Sequence, residues 1–436
     1  MLVLKEGLPI AYKDVFDYST AEELAALINK DKPAEEVETK KEEKGDNKYP
    51  ALEKNRVEFV DEFHKEKDLG VVLLAGATGF LGIHLLKELI DEHVETYILV
   101  RSKHISLASR MSLLLEYYFD DPFEEQLNSY IHIVAGDIAD EDLKSKLKDI
   151  KFDTLINSAA IVKHFSNDDI IERINVGGVK NLIEIALEHK ARMIQISTLS
   201  VAGENIDNKF PDNYRMKEYQ LDIGQDISNK YINSKFMGEA AMLEAIHDRG
   251  LDGKVIRVGN LMSRQSDGEF QVNSITNGFM RGLRGYFALG KFPISSLDET
   301  IDFSPIDEVA KTILVLATAP RQFTLFHSAN SHPVEMGDVI EAMNESGLPI
   351  ENVSDEEFMG AVYEATNDEE KSKKVSALIT YTSKDNHSHS YILTDNSFTI
   401  KALYRLGYKW PITDQEYLVK AIKSLNSLEF FERDDD

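Results

Sequence analysis

Cysteine is absent from the 436 residues. Its absence excludes disulfides, thiolate metal sites and a cysteine nucleophile, so no acyl group can rest on a thiol of this chain. It also fits a reducing compartment, and the expected location is the cytoplasm. Long apolar runs are missing as well. None reaches the roughly eighteen residues that a membrane-spanning helix needs. The opening MLVLKEGLPIAYK lacks the apolar core of a secretory signal, so neither a membrane nor export is expected. Basic residues are few beside acidic ones, 49 against 76, for a formal charge of −27. A polyphosphate backbone would be repelled, which argues against nucleic acid as a partner.

What is present is an ordinary globular composition, 42% hydrophobic and 29% charged, which excludes wholesale disorder. At roughly 150 residues per domain the length implies two or three units. Residues 1–30 form a small one, with a helix predicted from Thr20 to Asn29. Ser19 or Thr20 caps it, Glu22 and Glu23 suit its positive end, and Leu24, Leu27 and Ile28 make its apolar face. Thirty residues cannot build a stable core alone. The next stretch, DKPAEEVETKKEEKGDNK, is almost wholly charged or polar and reads as a tether spanning about 20–25 Å if flexible.

From about residue 70 short apolar runs alternate with helical periodicity: VVLLA, TYILVR, YIHIVAGD, TLINSAA, MIQIS and KVIRVGN. Continuous apolar strands separated by helices predict a parallel sheet covered on both faces. The expected fold is α/β: a Rossmann-type doubly wound parallel sheet over residues 70–260, after a lead-in at 31–69. A smaller, mainly helical substrate lobe is expected over 261–436, with helices near Thr276–Leu283, Ile306–Ala317, Met336–Glu345 and Gln415–Leu425.

The first strand runs into Gly76-Ala77-Thr78-Gly79-Phe80-Leu81-Gly82, which opens a helix predicted over Phe80–Asp91. Glycines permit the tight turn and close approach of a pyrophosphate, and the helix N-terminus offers unpaired N–H groups. Arg101 ends the second strand where an NAD site would place a carboxylate on the ribose. A guanidinium there, with Arg110 as a second clamp, suits a 2′-phosphate instead, so NADPH is the expected cofactor. A surface arginine is the competing explanation for each. Asp137, followed by Ile138, can accept from an adenine amino group or simply form a turn. Ala159, Ala160 and Ile161 after Ser158 leave room for a cofactor ribose, though small residues also pack well. Asn260 completes the candidate contacts at the end of the sixth strand.

Tyr231 and Lys235 stand four residues apart on a predicted helix and therefore share one face. A phenol near pKa 10 is a poor acid or base at neutral pH, and a neighbouring ammonium lowers that value. The ammonium can also donate to a nicotinamide ribose. Ser197 and Thr198 end the fifth strand, and either hydroxyl can join Tyr231 in holding a carbonyl oxygen.

GATGFLG, the LVR arginine, ISTLSVAG and YINSK resemble the extended short-chain dehydrogenase/reductases. More narrowly, with IDFSPIDEVA at 301–310, they resemble the thioester reductase domains that end nonribosomal peptide synthetases and carboxylic acid reductases. The resemblance covers roughly residues 70–430. It implies a catalytic triad of Thr198, Tyr231 and Lys235, with Ser197 left as a cofactor contact and as the competitor for the hydroxyl role. It implies NADPH-dependent reduction of a carrier-bound acyl or peptidyl thioester to an aldehyde, or further to an alcohol. DVFDYSTAEELAALI resembles the last helix of a carrier protein without its phosphopantetheine attachment site, so the implied partner is an upstream carrier domain. Arg281, Arg284 and Lys291 are candidates for the arm's phosphate, against the plainer explanation of a solvated basic face. Two other readings stand beside this one. A sugar-nucleotide epimerase or dehydratase would use the same tyrosine and lysine with bound NAD, and a non-catalytic NADP-binding sensor would use neither.

Overall fold

A computed structural model describes residues 63–101, 106–162, 170–206, 209–211, 213–271, 277–382 and 390–431. The carrier-like segment 1–30 and the charged tether lie outside them.

Seven parallel strands form the central sheet: β1 (Val72–Ala75), β2 (Thr96–Val100), β3 (Ile131–Ala135), β4 (Thr154–Asn157), β5 (Arg192–Thr198), β6 (Gly253–Val258) and β7 (Leu325–Ser328). Their spatial order is 3-2-1-4-5-6-7. The order reverses between β1 and β4, so the connections leaving these two strands diverge and open a crevice at their carboxyl ends. Strand alternation supplies both faces from one segment. Val72 and Leu74 join a cluster with α1 (Phe80–Asp91), α2 (Leu107–Phe119) and residues further along the chain. Leu73 and Ala75 join the opposite cluster, with α3 (Val179–His189) and α4 (Lys230–Arg249). Leu85, Leu86 and Leu89 of α1 are wholly enclosed. At about 2 kcal/mol per buried leucine, that face fixes the helix against the sheet.

Past residue 260 the chain departs from the expected division. After α5 (Gly278–Leu289), helix α6 (Ile306–Ala317) lies beside α1, and β7 pairs with β6 in the main sheet. Residues 306–328 therefore belong structurally to the nucleotide-binding layer, although they lie within the segment expected to form the second lobe. β7 escapes sequence reading because half of it is His327 and Ser328, which are buried yet polar and leave only Leu325 and Phe326 as an apolar run.

The remaining lobe packs α5, α7 (Met336–Glu345) and α11 (Gln415–Ser427) around Leu283, Phe292, Met343, Leu418 and Ile422. Helices α8 (Asp355–Ala365) and α9 (Glu369–Thr382) cover α5 through Phe358, Val362 and Leu378. Helix α10 (Ser397–Arg405) returns to β7 and α6. The polar stretch from Glu204 to Lys230 is tied down by the C-terminal chain. Residues 204–205 pair with 390–391, and 215–216 with 393–394.

Candidate active site

The glycine turn sits at the reversal point of the sheet. Gly76 has φ +90°, and a Cβ there would lie 2.5 Å from the Ala159 nitrogen. A Cβ on Gly82 would lie 2.0 Å from the Gly76 oxygen. Only glycine lets the turn, the helix and the end of β4 approach so closely. The Gly79 N–H donates to the Gly76 oxygen at 2.9 Å, and the N-cap residue Gly79 has no side chain to cap α1, so the first turn of the helix can offer its N–H groups to a ligand. Gly79 is exposed and Thr78 and Phe80 are half-buried, while Leu81 and Gly82 are buried. Leu81 therefore has only its main chain to offer a ligand.

Arg101 and Arg110 converge beside this turn. Arg110 Nη1 donates to the Arg101 oxygen at 3.3 Å. Burial, and then the Arg101 cation, lower the Arg110 pKa. Arg101 lies 3.7 Å from an Asp137 oxygen. Two guanidiniums beside a glycine turn and a bare helix end make a donor set suited to a phosphorylated dinucleotide, so the residues present fit that group. Asp137 accepts from the Ala139 N–H at 3.0 Å, as a turn-forming aspartate does. The Ile138 side chain is buried against Gly178. Ala159, Ala160 and Ile161 stay half-buried along the crevice, and the Ser158 hydroxyl turns back to donate to the Ala75 oxygen at 2.8 Å.

Helix α4 begins at an Asn229 cap whose Oδ1 accepts from the Tyr231 and Ile232 N–H groups at 3.0 and 3.2 Å. The cap places Tyr231 in the first turn and Lys235 in the second, both buried. Tyr231 shares a hydrogen bond with Thr198 at the end of β5. Burial pushes the phenol up to about 12, and the Thr198 bond opposes that rise. Lys235 Nζ donates to the Ile196 oxygen at 2.7 Å. Burial pulls its ammonium down to about 8, and the Glu239 carboxylate opposes the fall. Ser197 and Thr198 point to opposite sides of the strand. The Ser197 hydroxyl is enclosed without a hydrogen-bond partner, whereas Thr198 is partly open and also donates to Ser200 at 3.1 Å. The structure thus brings Thr198, not Ser197, to Tyr231.

Several residues that sequence reasoning missed support these groups. Asn175, in a wide helical turn at Arg173–Gly178, donates to the Ser234 hydroxyl at 2.9 Å and brackets both main-chain groups of Ile161. Asp302 accepts from the Asn260 N–H at 2.7 Å and from the Ser304 hydroxyl, and burial raises its pKa to about 6. Asp307 accepts from the Gln265 and Ser266 N–H groups. The IDFSPIDEVA stretch therefore stitches down the loop that follows β6 and leaves Asn260 exposed at its start. The three basic candidates of the second lobe do not form a common face. Arg284 is buried, Lys291 is paired with Glu357, and Arg281 donates to Ser376 at 3.0 Å.

A family profile described as "Male sterility protein", an NAD-binding family, matches residues 74–313. The thiolation–reductase di-domain of an archaeal nonribosomal peptide synthetase is 34% identical, with a TM-score of 0.83 over 99% of this chain and 90% of that one. The reductase domain of the aureusimine biosynthetic cluster is 26% identical, with a TM-score of 0.72 over 87% and 96%. A linear gramicidin synthase of Brevibacillus parabrevis is 26% identical over 80% of this chain, which spans only 7% of that protein's length. Among the described residues no helix is long and apolar enough to cross a membrane. The matched profile, the strand order and the full-length likeness to the archaeal di-domain agree, and the chain belongs to this NAD-binding family as a reductase domain of the nonribosomal peptide synthetase type.

Proposed function

We propose that this chain releases a carrier-bound acyl or peptidyl thioester by reducing it to an aldehyde with NADPH. The observation that carries the reading is the gathering of Thr198, Tyr231 and Lys235 at the carboxyl end of β5, the end of the sheet from which the glycine turn also leaves. The carbonyl oxygen of the thioester lies between the Thr198 and Tyr231 hydroxyls, where negative charge grows. NADPH, when bound, supplies the hydride. Tyr231 gives its proton to the developing oxyanion, and the Lys235 ammonium stabilises the phenolate left behind. The resulting hemithioacetal collapses to aldehyde and free carrier thiol. With no thiol in the chain, the acyl group passes through no enzyme thioester.

The preference for NADPH is supported by Arg101 and Arg110, which replace a ribose-binding carboxylate with paired cations. That combination disfavours a tightly held NAD of the epimerase kind, and the intact Tyr231–Lys235 pair disfavours a sensor without chemistry. An upstream carrier is supported by the likeness to a thiolation–reductase di-domain over 99% of this chain. The test uses the purified chain with NADPH and acyl-pantetheine thioesters, following cofactor absorbance and product together. Tyr231→Phe removes one hydroxyl and should keep NADPH affinity while losing about 10²-fold or more in turnover. Turnover at the wild-type rate would refute the assignment. Product analysis separates aldehyde from alcohol.

A further inference from the structure

Lys235 is enclosed in protein, and an ammonium out of water needs a counter-charge to persist. Its own helix provides one. Tyr231, Lys235 and Glu239 follow at four-residue intervals, so they form a single stripe on α4. Glu239 has no exposed surface, nor does Arg257 from β6 beneath it. Arg257 Nε donates to both Glu239 oxygens at 3.1 Å, and Nη2 donates to one of them at 2.8 Å. Two further donors are also used. Nη2 reaches the Gln220 oxygen at 2.9 Å, and Nη1 lies 3.0 Å from His327 Nε2. His327 Nδ1 is 2.7 Å from the Asp395 oxygen. A carbonyl only accepts, so Nδ1 carries the proton and Nε2 receives the Arg257 N–H. Both bonds require a neutral imidazole, as burial and the adjacent guanidinium also dictate.

Apart from Arg257, which is held on Glu239, no other buried charge among the described residues acts on Lys235. From β5 it meets the Ile196 carbonyl, which also accepts from the Gln195 amide at 2.8 Å. On α3 and the turn before it, Glu172, Arg173, Lys180, Glu184 and Glu188 are exposed. Lys254 and Arg192 lie at the opposite end of the sheet, held by carbonyls of residues 317–323.

We propose that Glu239, locked by Arg257, is a positioning residue that keeps Lys235 charged one helical turn from Tyr231, so that the state of the ammonium is set from the strand below. The proposal rests on the reading of Lys235 given above. Glu239 touches neither the carbonyl nor the phenol. It acts through the lysine, and Arg257 acts by denying the carboxylate any other orientation.

The test is a titration of the full chain labelled with ¹³C at lysine Cε, with the Lys235 signal identified by its loss in Lys235→Ala. Thioester reduction is followed over the same pH range. In Glu239→Gln the Lys235 midpoint should fall by about one pH unit, and the alkaline limb of the rate profile should move with it. Leaving Arg257 without its carboxylate can prevent folding. The double variant Glu239→Gln/Arg257→Met removes both charges together and should shift the midpoint in the same direction by a smaller amount. A midpoint unchanged in whichever variant folds would overturn the proposal, even if melting temperature dropped, because a purely structural pair would do that alone. Wild-type turnover in Lys235→Ala would instead overturn the reading of the site. The titration needs no turnover, so the two failures are distinguishable.

Discussion

Replacing Arg101 with alanine separates a site for a phosphorylated nucleotide from a generic dinucleotide fold. A charge-assisted hydrogen bond contributes about 1.5–3 kcal/mol. The Arg101 side chain is 56% exposed and shares its charge with Asp137 at 3.7 Å, so solvent and that neighbour place it at the low end. About 1.5 kcal/mol corresponds to a loss of roughly tenfold in NADPH affinity. Arg110 stays in place, so binding should persist, and Arg101→Ala/Arg110→Ala should lose about another tenfold. NADH has no phosphate at that position and should bind both variants as it binds the wild type. The assay is fluorescence titration of each nucleotide at low and at physiological salt, where screening should narrow the gap between wild type and variant. Equal losses for NADPH and NADH, or none for either, would refute the assignment of these arginines to a 2′-phosphate.

Gly76→Ala should lower stability by at least about 1–3 kcal/mol and abolish nucleotide binding, because φ is +90° and the new methyl meets backbone of residues 158–159. Thermal melting and nucleotide titration read the two effects, and a well-folded variant binding NADPH normally would contradict the packing argument. Glu218 is buried against Thr399, whose N–H and hydroxyl donate to one carboxylate oxygen at 3.1 and 3.2 Å. Burial raises its pKa to about 7 from 4.5, so the folded state binds this proton more tightly than the unfolded chain. The resulting stability is complete below about pH 4.5 and is lost as pH rises towards 7. Glu218→Gln keeps an acceptor for Thr399 and removes the titration, so melting temperature should rise relative to wild type at pH 8 and match it near pH 5. The opposite pH trend would exclude burial as the dominant cause.

Elements with a local signature were legible. The spans Phe80–Asp91, Ile306–Ala317 and Met336–Glu345 are read from the sequence as they occur, since periodicity and flanking residues mark both ends. Six main-sheet strands were recognisable as apolar runs. Helices α8, α9 and α10 escaped because sequences such as EEKSKKVSALITYT are rich in charge and show no clear apolar periodicity, although Val375 and Leu378 are enclosed. The Tyr231–Lys235 spacing is a property of one helix and needs no tertiary knowledge. The partner of Glu239 was hidden for the opposite reason, since Arg257 lies eighteen residues away on a strand. Its signal was a charge inside the apolar run KVIRV, which makes sense only if a counter-charge waits beneath. Arg284 misled in the same way: its sequence surroundings suggest a solvated face, and the fold buries it.

The least patterned segments also complete the frame around Thr198, Tyr231 and Lys235. Directly after the Thr198 turn, Gly203 adopts φ +71° and its oxygen accepts from the Ile392 N–H at 3.0 Å. Lys217 pairs with Asp395, and Glu218 holds the start of α10 at Thr399. The Asp395 carbonyl then receives the His327 proton, and His327 receives Arg257, which fixes Glu239 on the stripe of Tyr231 and Lys235. This polar path runs from a solvent-facing strand pair to the floor beneath the lysine without passing through the apolar core. Hydrophobic burial tolerates small shifts of its parts because it is non-directional, whereas each of these bonds has one geometry. The apolar layers therefore determine where α4 lies on the sheet, and the polar path determines how its reactive face is turned.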